Sequence, residues 1–133
     1  MKKYIITALL LSVISCYIAP DVTAGNGIIF QAPTMNIEGT AGSIVSRLDK
    51  SLQLTATQKP RMLHIITGYL KQKVNIQSLQ HSNATAYKTK LNSMQNGLHA
   101  KLKPLLTLTQ YTEFMAQQPK SYDETNVLSQ LYY

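Results

Sequence analysis

This chain of 133 residues is short of the groups that catalysis usually needs. It has one cysteine and six acidic residues, against thirteen lysines and arginines. A lone cysteine cannot close an internal disulfide, so in an oxidising compartment the fold has to be held by packing alone. The few carboxylates are scattered over loops and helix ends, which leaves little for acid–base work. No Ser-His-Asp set accompanies a nucleophile turn, and no thiol follows Cys16. The G-x-x-x-x-G-K-[ST] loop that cradles nucleotide phosphates is absent as well. These absences argue against an enzyme and against any cofactor.

The N-terminus has the three parts of an export signal over residues 1–24. Lys2 and Lys3 precede an apolar run from Tyr4 to about Ala19, and Pro20 with Val22-Thr23-Ala24 supplies a small-residue cleavage site. The run is shorter than the roughly 20 apolar residues of a spanning helix. The expected location is therefore outside the cytoplasm. Val13-Ile14-Ser15-Cys16 approximates a lipobox, which gives a second reading in which Cys16 is acylated and anchors the protein to lipid. Against it, the apolar stretch continues through Tyr17, Ile18 and Ala19. Cleavage after Ala24 leaves 109 residues, enough for one domain with one modest core.

Hydrophobic periodicity in that domain is helical, with no sustained alternation of period two. Residues 25–41, rich in Gly and Asn, read as a flexible lead-in whose one apolar cluster is Ile28-Ile29-Phe30. The helical domain is expected over 42–118. Ile44, Val45, Leu48 and Leu52 mark a short first helix from Ala41 to Gln53. A second, from Ala56 or Pro60 to Leu79, carries Met62, Leu63, Ile66, Tyr69, Leu70 and Val74 as its stripe. Ser82 or Asn83 caps a third, whose seam is Tyr87, Leu91, Met94, Leu98, Leu102 and Leu105. A fourth, Leu108 to Gln118, presents Tyr111, Phe114 and Met115 and stops before Pro119. Residues 119–133 form a tail in which Val127, Leu128 and Leu131 add a last turn or two. The predicted fold is all-α: an antiparallel helical hairpin with short flanking helices, four to five in total.

Two of these helices begin with the same five-residue string, Leu54-Thr55-Ala56-Thr57-Gln58 and Leu106-Thr107-Leu108-Thr109-Gln110, 52 residues apart. Each reads as a capping box: the Thr side chain accepts from the backbone N–H three residues on, and the Gln reaches back to the Thr N–H. In the second copy Leu106 can also staple onto Tyr111. In the first, Leu54 faces Lys59 and gains only its aliphatic stem. One such string is common local grammar; the repeat with leading Leu resembles the Spy/CpxP family, the LTxxQ proteins of the bacterial envelope. The resemblance spans about residues 42–118 and implies a small exported helical chaperone or stress adaptor that forms a cradle-shaped dimer. Pro60 and Pro104 depart from the uninterrupted helices expected beside the motifs. The ending Asn126-Val127-Leu128-Ser129-Gln130-Leu131-Tyr132-Tyr133 resembles the close of some small exported bacterial proteins with no assigned activity.

Charge supplies the remaining signal. From Leu54 to Gln118 the residues Lys59, Arg61, Lys71, Lys73, Lys88, Lys90, Lys101 and Lys103 meet only Glu113. A solvated helix normally interleaves Glu with Lys, so this positive potential is uncompensated. Lys71, Lys73, Lys88, Lys90, Lys101 and Lys103 are the candidate client-binding face. The partners expected of an exported basic protein are unfolded or acidic polypeptides or an anionic envelope surface, with no nucleic acid. The alternative function is a structural or surface-tethering envelope protein without chaperone action. A metal sensor is the weakest reading, because His64, His81 and His99 have no ligand spacing and read as isolated surface residues. Met62, Met94 and Met115 fall on predicted core faces, and Asn83-Ala84-Thr85 reads as a helix cap before a glycosylation sequon.

Overall fold

The computed structural model describes residues 35–133, and these are all-α. The export signal, Cys16, the cleavage position after Ala24 and the Ile28-Ile29-Phe30 cluster lie outside the described residues. Six helices follow in order: α1 Ile37–Leu52, α2 Gln58–Ile76, α3 Leu79–Ser82, α4 Ala84–Leu102, α5 Leu108–Ala116 and α6 Ser129–Tyr132. Six helices replace the four to five expected: the last turn at Ser129–Tyr132 is the fifth, and a further single turn at Leu79–Ser82 makes the sixth.

The first helix starts four residues earlier than its apolar spacing suggests. Asn36 accepts from the Gly39 N–H at 3.0 Å, and this cap outweighs the glycines that read as a loop. The resulting face of Ala41, Ile44, Val45, Leu48 and Leu52 is buried. At 16 residues α1 is no short flank; it packs along α2 as a full member of the core. It ends at Gln53 in the left-handed conformation, φ 50°, with the Gln53 N–H on the Asp49 carbonyl. Asp49 then fastens the turn by accepting from the Leu54 N–H at 3.0 Å and pairing with Lys59 at 2.7 Å.

Helices α2 and α4 form the expected antiparallel pair, the start of α2 lying beside the end of α4. Met62, Ile66, Tyr69 and Leu70 of α2 are buried, while Leu63 and Val74, counted in its stripe, are exposed. Asn83 caps α4, accepting from the Ala86 N–H at 3.0 Å. Its seam is deep only at the C-terminal end: Leu98 and Leu102 are buried, whereas Tyr87, Leu91 and Met94 are half-buried. Both prolines fall where a helix tolerates them. Pro60 occupies the first turn of α2, and Pro104 lies two residues past the end of α4, where Leu105 and Leu106 N–H groups close the turn on the Leu102 carbonyl. In α5, Phe114 is fully buried and Met115 is exposed, so Met115 is not a core residue.

The expected tail is part of the core. Leu128 and Leu131 are buried, as is Ser129, whose Oγ accepts from the Asp123 N–H. Three side chains of the helix pair grip successive main-chain carbonyls here. Lys73 Nζ donates to Gln130 at 2.9 Å, Tyr69 OH to Leu131 at 2.8 Å, and Gln95 Nε2 to Tyr132 at 2.8 Å. The helical domain therefore runs through residue 133 instead of stopping at 118.

Burial along α4 sets a graded expectation for stability. Leu98→Ala and Leu102→Ala should each cost about 2–5 kcal/mol, the usual loss for emptying a packed leucine site. Leu91→Ala should cost less than half as much, and exposed Leu63→Ala should stay within about 0.5 kcal/mol of the parent. Denaturant unfolding followed by circular dichroism checks the ranking.

Candidate functional site

The two Leu-Thr-x-Thr-Gln strings meet. Each forms its own capping box, with the Gln58 N–H on Thr55 Oγ1 and the Gln110 N–H on Thr107 Oγ1, both at 3.2 Å. Each glutamine reaches back: the Thr55 N–H donates to Gln58 Oε1 at 2.9 Å and the Thr107 N–H to Gln110 Oε1 at 3.0 Å. The two amides then exchange hydrogen bonds. Gln58 Nε2 donates to Gln110 Oε1 at 2.8 Å, and Gln110 Nε2 donates to Gln58 Oε1 at 3.1 Å. The second hydrogen of each Nε2 goes to a chain end across the junction, from Gln58 to the Leu105 carbonyl at 2.9 Å and from Gln110 to the Leu52 carbonyl at 3.2 Å. A primary amide has two donor hydrogens and two acceptor lone pairs, and here all are used. Flipping either amide would set its NH2 against a backbone N–H, so the partners determine the orientation.

Both leading leucines are buried beside this lock. Leu54 gains far more than a lysine stem: it enters the core, and Lys59 turns to Asp49 instead. The capping residues Thr55, Gln58, Thr107 and Gln110 thus hold the ends of α1, α2, α4 and α5 together. A carboxylate would serve the local box equally well, yet it lacks the donors that cross the junction. Two glutamines, and no glutamate, at the repeated position were the available signal.

The six lysines of the candidate basic face do not share one environment. Lys71 pairs with Glu38 of α1 at 3.4 Å. Lys73 lies one turn beyond buried Tyr69, is itself half-buried, and is spent on the Gln130 carbonyl; burial lowers its pKa to about 8. It is a structural residue and leaves the exposed face. Lys103 sits 5.6 Å from the Tyr111 ring centroid, a cation–π distance. Lys88, Lys90 and Lys101 are exposed, on a helix with no acidic residue. The unopposed surface is therefore α4, from Lys88 to Lys103.

Beside its first half opens a groove of about 640 Å³ between the end of α2, the start of α4 and the segment that α6 closes. Val74, Tyr87, Leu91, Tyr122, Tyr132 and Tyr133 give it an apolar and aromatic lining, Gln77 and Gln80 add amides, and Lys88 stands at its edge. No acidic side chain lines it. No periodicity marks this groove, since three of its tyrosines come from the irregular C-terminal stretch.

The histidines separate by environment. His64 and His81 are exposed. His99 is half-buried, contrary to a surface position: its Nδ1 lies 3.1 Å from Tyr111 OH, and its ring meets Tyr111 and Phe114 edge-on at 6.1 and 5.8 Å. Desolvation, and then the charge of Lys103, hold its pKa below the usual imidazole value. Among the described residues no three His, Cys, Asp or Glu side chains gather as a ligand set, and no helix is long and apolar enough to cross a membrane. No family model, curated protein or solved structure matches the chain.

The amide lock and the buried lysine each carry an expected outcome. Gln58→Ala and Gln110→Ala should each destabilise by about 1–3 kcal/mol, because each strands polar partners. The double variant should lose less than the sum, by roughly 0.5–3 kcal/mol, which a double-mutant cycle measures. Gln58→Glu should also destabilise at neutral pH, whereas a purely local cap would accept it. Lys73 binds its proton less tightly folded than unfolded, so between pH 8 and its unfolded value of about 10.4 the unfolded chain holds more protons and stability rises with pH. Comparing the parent with Lys73→Met between pH 7.5 and 9.5 isolates this slope, since buried Tyr69 titrates higher, pushed up to about 12.

Proposed function

We propose that this is an exported, non-enzymatic binding protein of the bacterial envelope, acting as an ATP-independent chaperone or stress adaptor in the manner of the LTxxQ proteins. The observation that carries the reading is the acid-free, tyrosine-lined groove beside the uncompensated charge of α4. Long-range attraction to that charge would bring an unfolded or acidic polypeptide to the surface. Tyrosine rings, Val74 and Leu91 would then hold apolar side chains, and the amides of Gln77 and Gln80 would meet the client's main chain. Such contacts are individually weak, which suits a holder that has no nucleotide to drive release. The doubled motif supports kinship with the family through the resemblance of its two strings, and the family's cradle-shaped dimer is part of the same proposal.

The test is suppression of aggregation of an unfolded acidic client by the mature chain, without nucleotide, across salt concentration. Lys88→Gln with Lys90→Gln should leave helicity intact and weaken protection several-fold at low salt. The difference should shrink toward 1 M, where the screening length falls to about 3 Å. Tyr87→Ser with Leu91→Ser should weaken protection at every salt concentration. Full protection by both variants would leave the groove without a role and favour a tethering protein.

A further inference from the structure

At the opposite end of the helix pair lies a second cleft, of about 500 Å³, between the start of α2 and the end of α4. Pro60, Ile65, Pro104 and Leu105 form its apolar lining, here called its floor, and Arg61, His64 and Lys101 complete it. The two prolines shape it, since each falls at a helix end and contributes a compact ring without an N–H. The amide lock stiffens it, because Gln58 Nε2 holds the Leu105 carbonyl at 2.9 Å. The Leu105 edge of the cleft is thus held before any ligand arrives, which lowers the cost of binding.

We infer that this cleft binds a single-chain amphiphilic anion, an alkyl carboxylate of the fatty-acid class, with its chain on the proline–leucine floor and its head group at Arg61 and Lys101. Three observations lead there. The lining is mostly apolar with a few placed polar groups, the composition usual for small-molecule sites. No acidic residue lines the cleft, and the two ion pairs among the described residues, Lys59 with Asp49 and Lys71 with Glu38, leave Arg61 and Lys101 outside any bridge. The floor, finally, suits an alkyl chain better than a polypeptide. Its prolines have no N–H to give and the Leu105 carbonyl already accepts one hydrogen bond, so a peptide main chain laid on it would find few partners for the hydrogen bonds it gives up to water. An alkyl chain has none to lose. This site is separate from the tyrosine-lined groove and does not depend on the chaperone reading.

Calorimetric titration of the mature chain with laurate, kept below its micellar concentration and at low ionic strength, tests the assignment. Saturable one-to-one binding is expected, with affinity rising from hexanoate through decanoate. Dodecyltrimethylammonium, which has the same chain and the opposite charge, should bind at least tenfold more weakly. Arg61→Gln with Lys101→Gln, two exposed changes that should leave the circular dichroism spectrum unaltered, should weaken laurate at least tenfold. In the parent, the methyl resonances of Ile65 and Leu105 should shift on titration. Equal binding of the cationic chain, undiminished binding by the double variant, or no laurate binding would each overturn the inference. So would Arg61- and Lys101-dependent binding to phosphatidylglycerol vesicles without laurate binding, which would make this face a membrane-contact surface.

Discussion

Two glutamine side chains, 52 residues apart, hold the ends of four helices in one place. Without that amide pair, each string would only start its own helix, and nothing would bind the α1–α2 turn to the α4–α5 turn except leucine packing. Leucine packing is strong but poorly directional. The amide pair adds direction, because every donor and acceptor has one partner and an alternative docking would leave several of them buried and unpaired. Leu54 and Leu106 supply the burial, the glutamines set the register, and the apolar cleft between Pro60 and Leu105 is a by-product of how closely they draw the helix ends together.

How much of this was legible depended on the range of each interaction. The capping boxes, the Asn83 start of α4 and the stop at Pro104 are local, and the residue types announce them. The pairing of Gln58 with Gln110 is not local, and the repeat hinted only that two helix starts are alike. The start of α1 escapes composition because Gly39 and Gly42 resemble a loop, while a single side chain, Asn36, decides the matter. The C-terminal segment has too few apolar residues to show a period. Its burial is set by what waits for it on α2 and α4, which no window of sequence around Leu128 contains. Lys73 was open to a better reading: it follows Tyr69 by four residues and so continues the buried face of α2.

Electrostatics sort the chain's cations by neighbour. Of those on α2, Lys59 and Lys71 are consumed by carboxylates from α1 and Lys73 by a carbonyl, while Arg61 stays outside any bridge. Those on α4 have no acidic neighbour on their own helix. Among the described residues, α4 therefore carries a run of lysines without acidic partners and is flanked by two apolar concavities, a tyrosine-lined groove at one end and a proline-lined cleft at the other.

The grip on residues 130–132 bears on the order in which the molecule can assemble. Tyr69 must wait for a carbonyl 62 residues further along the chain, and Gln58 for an amide 52 residues away. Most helical proteins of this size close through neighbours and fold quickly, but each of these closures must first overcome the entropy of a long loop. When the chain is delivered from its N-terminal end, α1 and α2 can pair early, yet the surface around Tyr69 and Leu70 stays open until the segment around Leu128 and Leu131 arrives. A polypeptide built this way passes through a period in which its own apolar face is uncovered, and the timing of its delivery decides how long that period lasts.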